Sequence, residues 1–543
     1  MCSNKVIISS VWIKKVSFFY LGIPFIIFCF GYLKLFIALT ISILLIILYI
    51  KNWKYSWTEE RLIEIPKKTI YFTIIIIIVW VLLSGIGGFA FQNSDFHIRN
   101  AIFRDLINKS WPVAYNTNLS NSSITYFLTY YIGFWMPAAL VGKIAGWQVA
   151  NIVLYLWTVF GVILTILLLS SKFKLTLPLI TLLLVFFSGM DGLGVFLEQV
   201  ALPGKTISLW PPIMHLEWWA PGFQFSSFTT QLFWVFNQTV PTWICMALLL
   251  TTNDKKFIFL IWGLCAFFAP IPALGMFPYV ILKIPQQMFV AEYVKGNSLI
   301  NHHDSLISRC WKDIRSVLTI ENILGGGIVL IISFLYFSSN VNSAVSTVNS
   351  ESDLHWFFYI IFIIFDALLL WSIFRRQNYA NANWYLAGIL ILVIPLIKVG
   401  NSQDFCMRAS IPTLFMLMVW SAELLAAPRS QARIVLIVFL CIGAITPIYE
   451  INRSVYRTAS YYLDPPSQSE KLIGQQIRIY EIESFEYDHP YTLTADSFKS
   501  LANIDPDSIT FFLAKSDQSF FYKYLVKKSP LESNVARLKS TSS

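Results

Sequence analysis

The sequence predicts an all-α polytopic membrane protein, and three observations predict it. The chain of 543 residues is 56% hydrophobic and only 13% charged, with a mean hydropathy of +0.62. A water-soluble fold of this length has too little interior to hide that much apolar surface. Many stretches approach the ~20 apolar residues that cross a bilayer as a helix. They are solid runs such as Ile74 to Leu83, not the short alternating segments of a membrane β-barrel.

The apolar stretches predict about 13 transmembrane helices, with 11–14 compatible with the pattern. They cover 17–33, 35–50, 70–91, 148–170, 175–190, 231–251, 257–273, 274–292, 321–338, 354–374, 384–398, 409–426 and 432–449. Lys14 and Lys15 precede the first run, and no A-x-A cleavage pattern follows it, so it reads as a retained signal anchor. The first two helices form a hairpin around Gly31-Tyr32-Leu33-Lys34, and Pro270-Ile271-Pro272 splits the seventh from the eighth as possible half-helices.

The distribution of Lys and Arg sets the orientation. With the N-terminus in the cytoplasm, roughly 20 basic residues face inward against about 8 outward, leaving out the C-terminal tail. The inward set includes Lys5, Lys51, Lys54, Arg61, Lys172, Lys255, Arg375 and Arg429. The net charge of +10 therefore reflects cytoplasmic loops and not a nucleic-acid surface. This orientation requires that Ile124 to Val141 not cross the bilayer. Pro137 and its many Tyr and Trp residues predict a helix lying flat on the outer face. If it crosses instead, every later loop changes sides. Residues 1–449 thus form the membrane domain, with outer loops at 92–147 and 188–230. Residues 450–543, more polar, form an extracytoplasmic segment or small domain.

Ionisable residues collect on the predicted outer face. Asp95, His97, Arg99, Arg104 and Asp105 follow the third span. Asp191 in a Gly-rich turn, Glu198, Lys205, His215, Glu217 and Trp218-Trp219 follow the fifth, and Asp404 and Arg408 precede the twelfth. Ionisable groups at the membrane are costly and mark function by default. Each also has a plain structural role to weigh. Asp95 suits an N-cap of the next helix, and Asp191 suits a turn. Arg99 and Arg104 suit lipid-headgroup anchors, and Trp218-Trp219 suit the interface, with sugar stacking as the alternative. His215 and Glu217, two apart, are no evident metal pair. Arg408 opens a helix, where a cation is disfavoured unless an anion binds.

Elsewhere, Asn237-Gln238 with Pro241 are expected to hydrogen-bond neighbouring helices and kink their own. Asp366 and Glu423 are expected to be buried or at a cytoplasmic edge, and His302-His303 solvated. Asp505-Pro506-Asp507 mimics a nucleotide-sugar DxD, yet no Rossmann pattern surrounds it. The seven Cys show no CxxC pair, and no internal repeat supports an inverted-repeat transporter.

This layout resembles the GT-C superfamily of integral-membrane glycosyltransferases. The likeness rests on Asp95-Phe96-His97 just after an early helix, interfacial stretches at 101–115 and 124–143, Asp191 in a later outer loop, and an outer segment at 450–543. Position 96 is Phe, where protein mannosyltransferases carry the second residue of an Asp-Glu pair. Trp218-Trp219 is followed by Ala220, so the WWD signature of oligosaccharyltransferases is lacking. Segments 224–241 and 404–410 resemble bacterial membrane proteins, which implies a bacterial cytoplasmic membrane. The resemblance implies transfer of a sugar from a polyprenyl-phosphate donor to a glycan, lipid or protein acceptor outside that membrane. Asp95 is then the expected base, with Arg408 first and Arg99 second on the departing phosphate. His97 would orient Asp95 or bind phosphate. Asp191 would position the acceptor or, with Asp95, hold a divalent metal ion. Glu198, His215, Glu217, Trp218 and Asp404 are the further substrate-binding candidates. The rival expectations are a polysaccharide polymerase or ligase acting on lipid-linked glycans, and a lipid or solute transporter.

Overall fold

The computed structural model describes residues 5–53, 61–116, 125–201, 210, 212, 215–285, 306–340, 356–399, 403–463, 512–515 and 519–528. Among the described residues helices dominate, and no sheet closes into a barrel. A described helix overlaps each of the thirteen stretches read from the sequence at least in part. Among the described residues, six helices are individually long and apolar enough to cross a membrane: Ser10–Tyr32, Ile132–Phe173, Leu177–Val200, Phe228–Thr251, Trp356–Ile373 and Gln431–Ser460. A pair bent by 61°, Trp311–Val317 with Glu321–Phe337, adds a seventh if counted as one span. Leu35–Lys51, Pro270–Leu282, Ala382–Leu396 and Ile411–Ala426 are apolar but shorter. Runs of Ile and Val become helices here because a helix satisfies every backbone polar group without water.

The bundle has two distinct ends. At one, strand β1 (Lys5–Ser9) pairs antiparallel with β2 (Leu62–Pro66). Arg61 there donates to the Lys172 carbonyl at 2.9 Å, Lys172 donates to Asn253, and Lys255 meets Asp313 at 2.5 Å. At the other end, β3 (Ala114–Asn116), β4 (Thr125–Leu128) and β5 (Leu513–Lys515) form an antiparallel sheet in that order. The turn after Ser10–Tyr32 closes on this sheet's end of the molecule, with Lys34 N–H donating to Leu525 O and Lys527 N–H to Tyr32 O.

Four boundaries differ from the sequence reading. The helix expected over 70–91 stops at Leu83, because Gly85 and Gly87 take φ of +80° and +89°. A Cβ on Gly85 would sit 2.3 Å from the Phe91 carbonyl, so only glycine fits this return of the chain. The stretch 124–143 is not one flat helix. Thr125–Leu128, β-branched and aromatic, is a strand. A 3-10 turn at Ile132–Trp135 then leads into helix Met136–Phe173, which breaks at Gly146 (φ +82°). Ile258–Phe268 and Pro270–Leu282 are two short helices, broken at Ala269 and folded back so that Trp262 donates to the Ala273 carbonyl. The 449/450 boundary falls inside helix Ile445–Leu463, and residues 512–515 and 519–528 pack into the body through β5 and Tyr522.

Helix Phe228–Thr251 kinks at Val235 (φ −136°, ψ 37°), six residues before Pro241. The Asn237 amide, expected to bond a neighbouring helix, is buried with no hydrogen-bond partner. Lys205, His302-His303 and Asp505-Pro506-Asp507 lie outside the described residues.

Candidate functional site

The end that carries β3–β5 gathers most of the outer-face candidates, in two side-chain clusters. The first is built by helix Phe96–Asn108 and the short helix Asp404–Ala409. Asp95 occupies the N-cap position of the first helix, yet its carboxylate makes no capping hydrogen bond. It instead accepts from Arg99 Nη2 at 2.6 Å, one turn on. Asp404 and Arg408 repeat that spacing at 3.2 Å. In both pairs the carboxylate faces outward (42% and 51% exposed) and the guanidinium is held inside (4% and 13%).

Arg99 is therefore not a headgroup anchor. Its guanidinium lies 5.7 Å from the Phe96 ring and 5.8 Å from Phe236. Its Nη1, and Nε of Arg408, are buried without a hydrogen-bond partner. A buried guanidinium N–H left unpaired is costly, so both cations have unused donor capacity. Arg104 instead lies 4.5 Å from the Trp147 ring.

Tyr130 and Tyr131 complete this cluster. Burial raises the Tyr130 phenol above its ordinary range; Arg99 and Arg408 pull it back, and Asp95 and Asp404 push it up. All four charges thus act on one hydroxyl. Burial works against the charge on Arg408, but Asp404, Tyr131, Tyr130 and Asp95 more than offset it and hold the guanidinium charged. Tyr131 lies within hydrogen-bonding reach of Arg408. The two tyrosines have identifiable supports: Tyr336 brackets Tyr130 by accepting from its N–H and donating to its carbonyl, each at 3.1 Å. Phe512 and Phe337 pack on the Tyr130 and Tyr131 rings. The sequence reading missed both tyrosines, because the stretch that holds them was expected to be a flat helix.

The second cluster is more deeply buried. Asp191 opens helix Asp191–Ala201 and accepts from Ser188 at 2.9 Å and Thr446 at 3.1 Å. Asp366 sits beside it in a π-helical turn, Ile364–Leu368, with Gly189 packed on its backbone. Both Asp366 oxygens are buried and unpartnered. Glu217 accepts from Gln224 Nε2 and the Ser227 N–H, each at 2.9 Å. Burial raises the Glu217 carboxyl, His215 lowers it and Asp191 raises it further. The Trp219 indole lies beside both Asp191 and Asp366.

His215 Nδ1 accepts from the Glu217 N–H at 3.4 Å, and its ring stacks on Trp218 at 4.9 Å. Burial lowers its pKa; Glu450 and Glu217 raise it, and Arg453 lowers it. Glu450 in turn accepts from Trp234 and from Arg453, both at 2.8 Å. Glu198 is buried on the helix of Asp191. The sequence reading did not anticipate Asp366, Glu450 or Arg453 here. Asp366 interrupts an apolar run without a local motif, and the other two belong to residues read as a tail.

Gln224 joins the clusters, since its carbonyl accepts from Cys406, two residues before Arg408, and its amide serves Glu217. His97 lies on helix Phe96–Asn108, but its side chain is outside the described residues. Among the described residues, no group of three or more His, Cys, Asp or Glu is arranged to hold a metal ion. Asp95 pairs with Arg99 in the first cluster, and Asp191 with Ser188 and Thr446 in the second. No family model matches the chain, and no curated protein or solved structure matches it.

Proposed function

We propose that the protein is a membrane glycosyltransferase of GT-C type. It would move a sugar from a polyprenyl-phosphate donor to an acceptor hydroxyl at the outer face of a bacterial cytoplasmic membrane. In this reading thirteen helices cross, the N-terminus is inside, and the β3–β5 end faces outward. The observation that carries it is one partly exposed carboxylate, Asp95, beside two inward-held guanidiniums with unpaired N–H groups. A base open to water next to spare cationic donors suits a reaction that removes a proton and releases a phosphate.

Asp95 accepts the proton of the acceptor hydroxyl as its oxygen attacks the anomeric carbon. The bond from that carbon to the donor phosphate breaks with inversion, and the lipid phosphate leaves as an anion. Arg408 and Arg99 take up that charge through N–H donors that need no reorganisation. Tyr131 holds Arg408 within hydrogen-bonding reach, and Tyr130 lies in the field of both guanidiniums.

The test uses sealed vesicles that carry the protein and a polyprenyl-phosphate hexose. Sugar transfer to a supplied acceptor, above that of vesicles lacking the protein, supports the reading. No transfer across donors with hexosyl and pentosyl groups overturns it.

One observation favours a second reading. Asp366, midway along the apolar helix Trp356–Ile373, and Asp191, within Leu177–Val200, are buried together, as in carriers that move protons. Under that reading Asp366→Asn stops proton-driven uptake of a solute. Under the transferase reading it leaves membrane potential and pH gradients untouched.

A further inference from the structure

At the end of the bundle opposite the candidate site, an apolar groove opens between helices Ser10–Tyr32, Leu35–Trp53 and Ile258–Phe268. Gly22 lines it, and a Cβ there would meet nothing within 4 Å, so the space beside residue 22 is open. Phe18, Phe19, Ile26, Ile46, Leu264 and Lys15 line it as well. Phe19 and Ile46, on its two walls, are 51% and 45% exposed, so the groove faces outward from the bundle. Helical rise from Lys15 to Ile26 gives it a length of about 16 Å, half the thickness of a hydrocarbon core.

We infer that this groove holds one acyl chain of an anionic phospholipid from the adjacent leaflet, with the lipid phosphate beside Lys15. Length, apolar lining and outward opening select a lipid chain. The charge selects the headgroup: Lys15 lines the groove and Lys172 lies at the same end of the molecule, where Lys5, Lys255 and Lys256 are paired with Glu64, Asp313 and Glu321. Tyr49, whose hydroxyl donates to the Lys15 carbonyl at 3.4 Å, fixes that part of the groove. The site is separate from the proposed donor site, so the inference stands without the transferase reading.

The full chain, extracted in mild detergent and exchanged into bilayer discs of mixed phosphatidylglycerol and phosphatidylcholine, is released into a native mass spectrometer. The wild type should retain one phosphatidylglycerol. Gly22→Leu fills the open space and should lose the adduct, at an unchanged unfolding temperature in lipid-free detergent. Lys15→Gln should keep a lipid but reduce the preference for phosphatidylglycerol about fivefold, the equivalent of ~1 kcal/mol per basic residue. Lys15→Gln also serves if Gly22→Leu does not fold. Equal retention by Gly22→Leu, equal preference by Lys15→Gln, or a polyprenyl phosphate as the retained species each overturns the inference.

Discussion

Arg99 Nη2 lies 2.6 Å from the Asp95 carboxylate one helical turn away, while Nη1 of the same guanidinium is buried with no hydrogen-bond partner. The cation is thus half used by the protein. A second guanidinium, on Arg408, repeats this arrangement with Asp404. Two paired arginines with spare donors at one end of a membrane protein are expensive, and an anionic ligand would complete them.

The first prediction follows from those unused donors. Arg99→Met keeps the packing against Phe96 and Phe236 but removes the charge. Binding of a lipid-linked sugar phosphate should weaken about tenfold to a hundredfold, as expected for a lost charge-assisted hydrogen bond of ~1.5–3 kcal/mol. Arg408→Met should do the same. Titration of a fluorescent polyprenyl-phosphate analogue measures it, and unchanged affinity in both variants contradicts the phosphate role.

Much of this arrangement was legible in the sequence. Apolar runs located the helices, because a bilayer demands continuous apolar length. Asp95, Arg99, Asp404 and Arg408 stand out as charge beside apolar runs, but their pairing in twos does not: Asp95 reads as a cap, and Arg408 as opening a helix, whereas it lies in the last turn of the short helix Asp404–Ala409. The rest depended on contacts far apart in the chain. Strand β5 reaches β4 across almost 400 positions, and no local pattern announces such a partner. Glu450 and Arg453 looked like the start of a polar tail, yet they are buried against Trp234. The sequence also put Asp191 with Asp95, whereas the fold gives Asp191 to Asp366 and Glu217.

His215 makes stability depend on pH. Burial is the main cause of its lowered pKa, so below about pH 6.5 an unfolded chain takes up a proton that the folded one resists. His215 therefore destabilises the fold progressively as pH falls from about 6.5 through its lowered folded value. Protonation also removes the Nδ1 lone pair that accepts from Glu217 N–H. Glu217, raised by burial, acts with the opposite sign, lowering stability as pH rises through its own window. The His215 contribution is therefore read as a difference. His215→Gln should flatten the loss of unfolding temperature between about pH 7 and about pH 5. Parallel profiles for both proteins contradict it.

Tyr522 ties the C-terminal residues to the site. Its hydroxyl donates to the Leu128 carbonyl at 2.9 Å and meets Thr129 Oγ1 at 2.8 Å, directly before Tyr130. Its ring stacks on Phe127 at 4.5 Å. Tyr522→Phe keeps the stack and loses the hydroxyl, so stability should fall by about 1–3 kcal/mol. Transfer activity should fall more than stability requires, because Tyr130 loses its anchor. A melting curve and an activity assay on one preparation separate the two effects. Full activity at lowered stability shows that the C-terminal residues support the fold alone.

Asp95→Asn tests the central claim most directly. Asparagine keeps the size and a hydrogen-bond acceptor for Arg99, but it cannot take up a proton. In vesicles with a polyprenyl-phosphate sugar and acceptor, the variant should bind donor as the wild type does, while turnover drops by about a hundredfold or more. Turnover equal to the wild type would remove Asp95 as the base and contradict the mechanism.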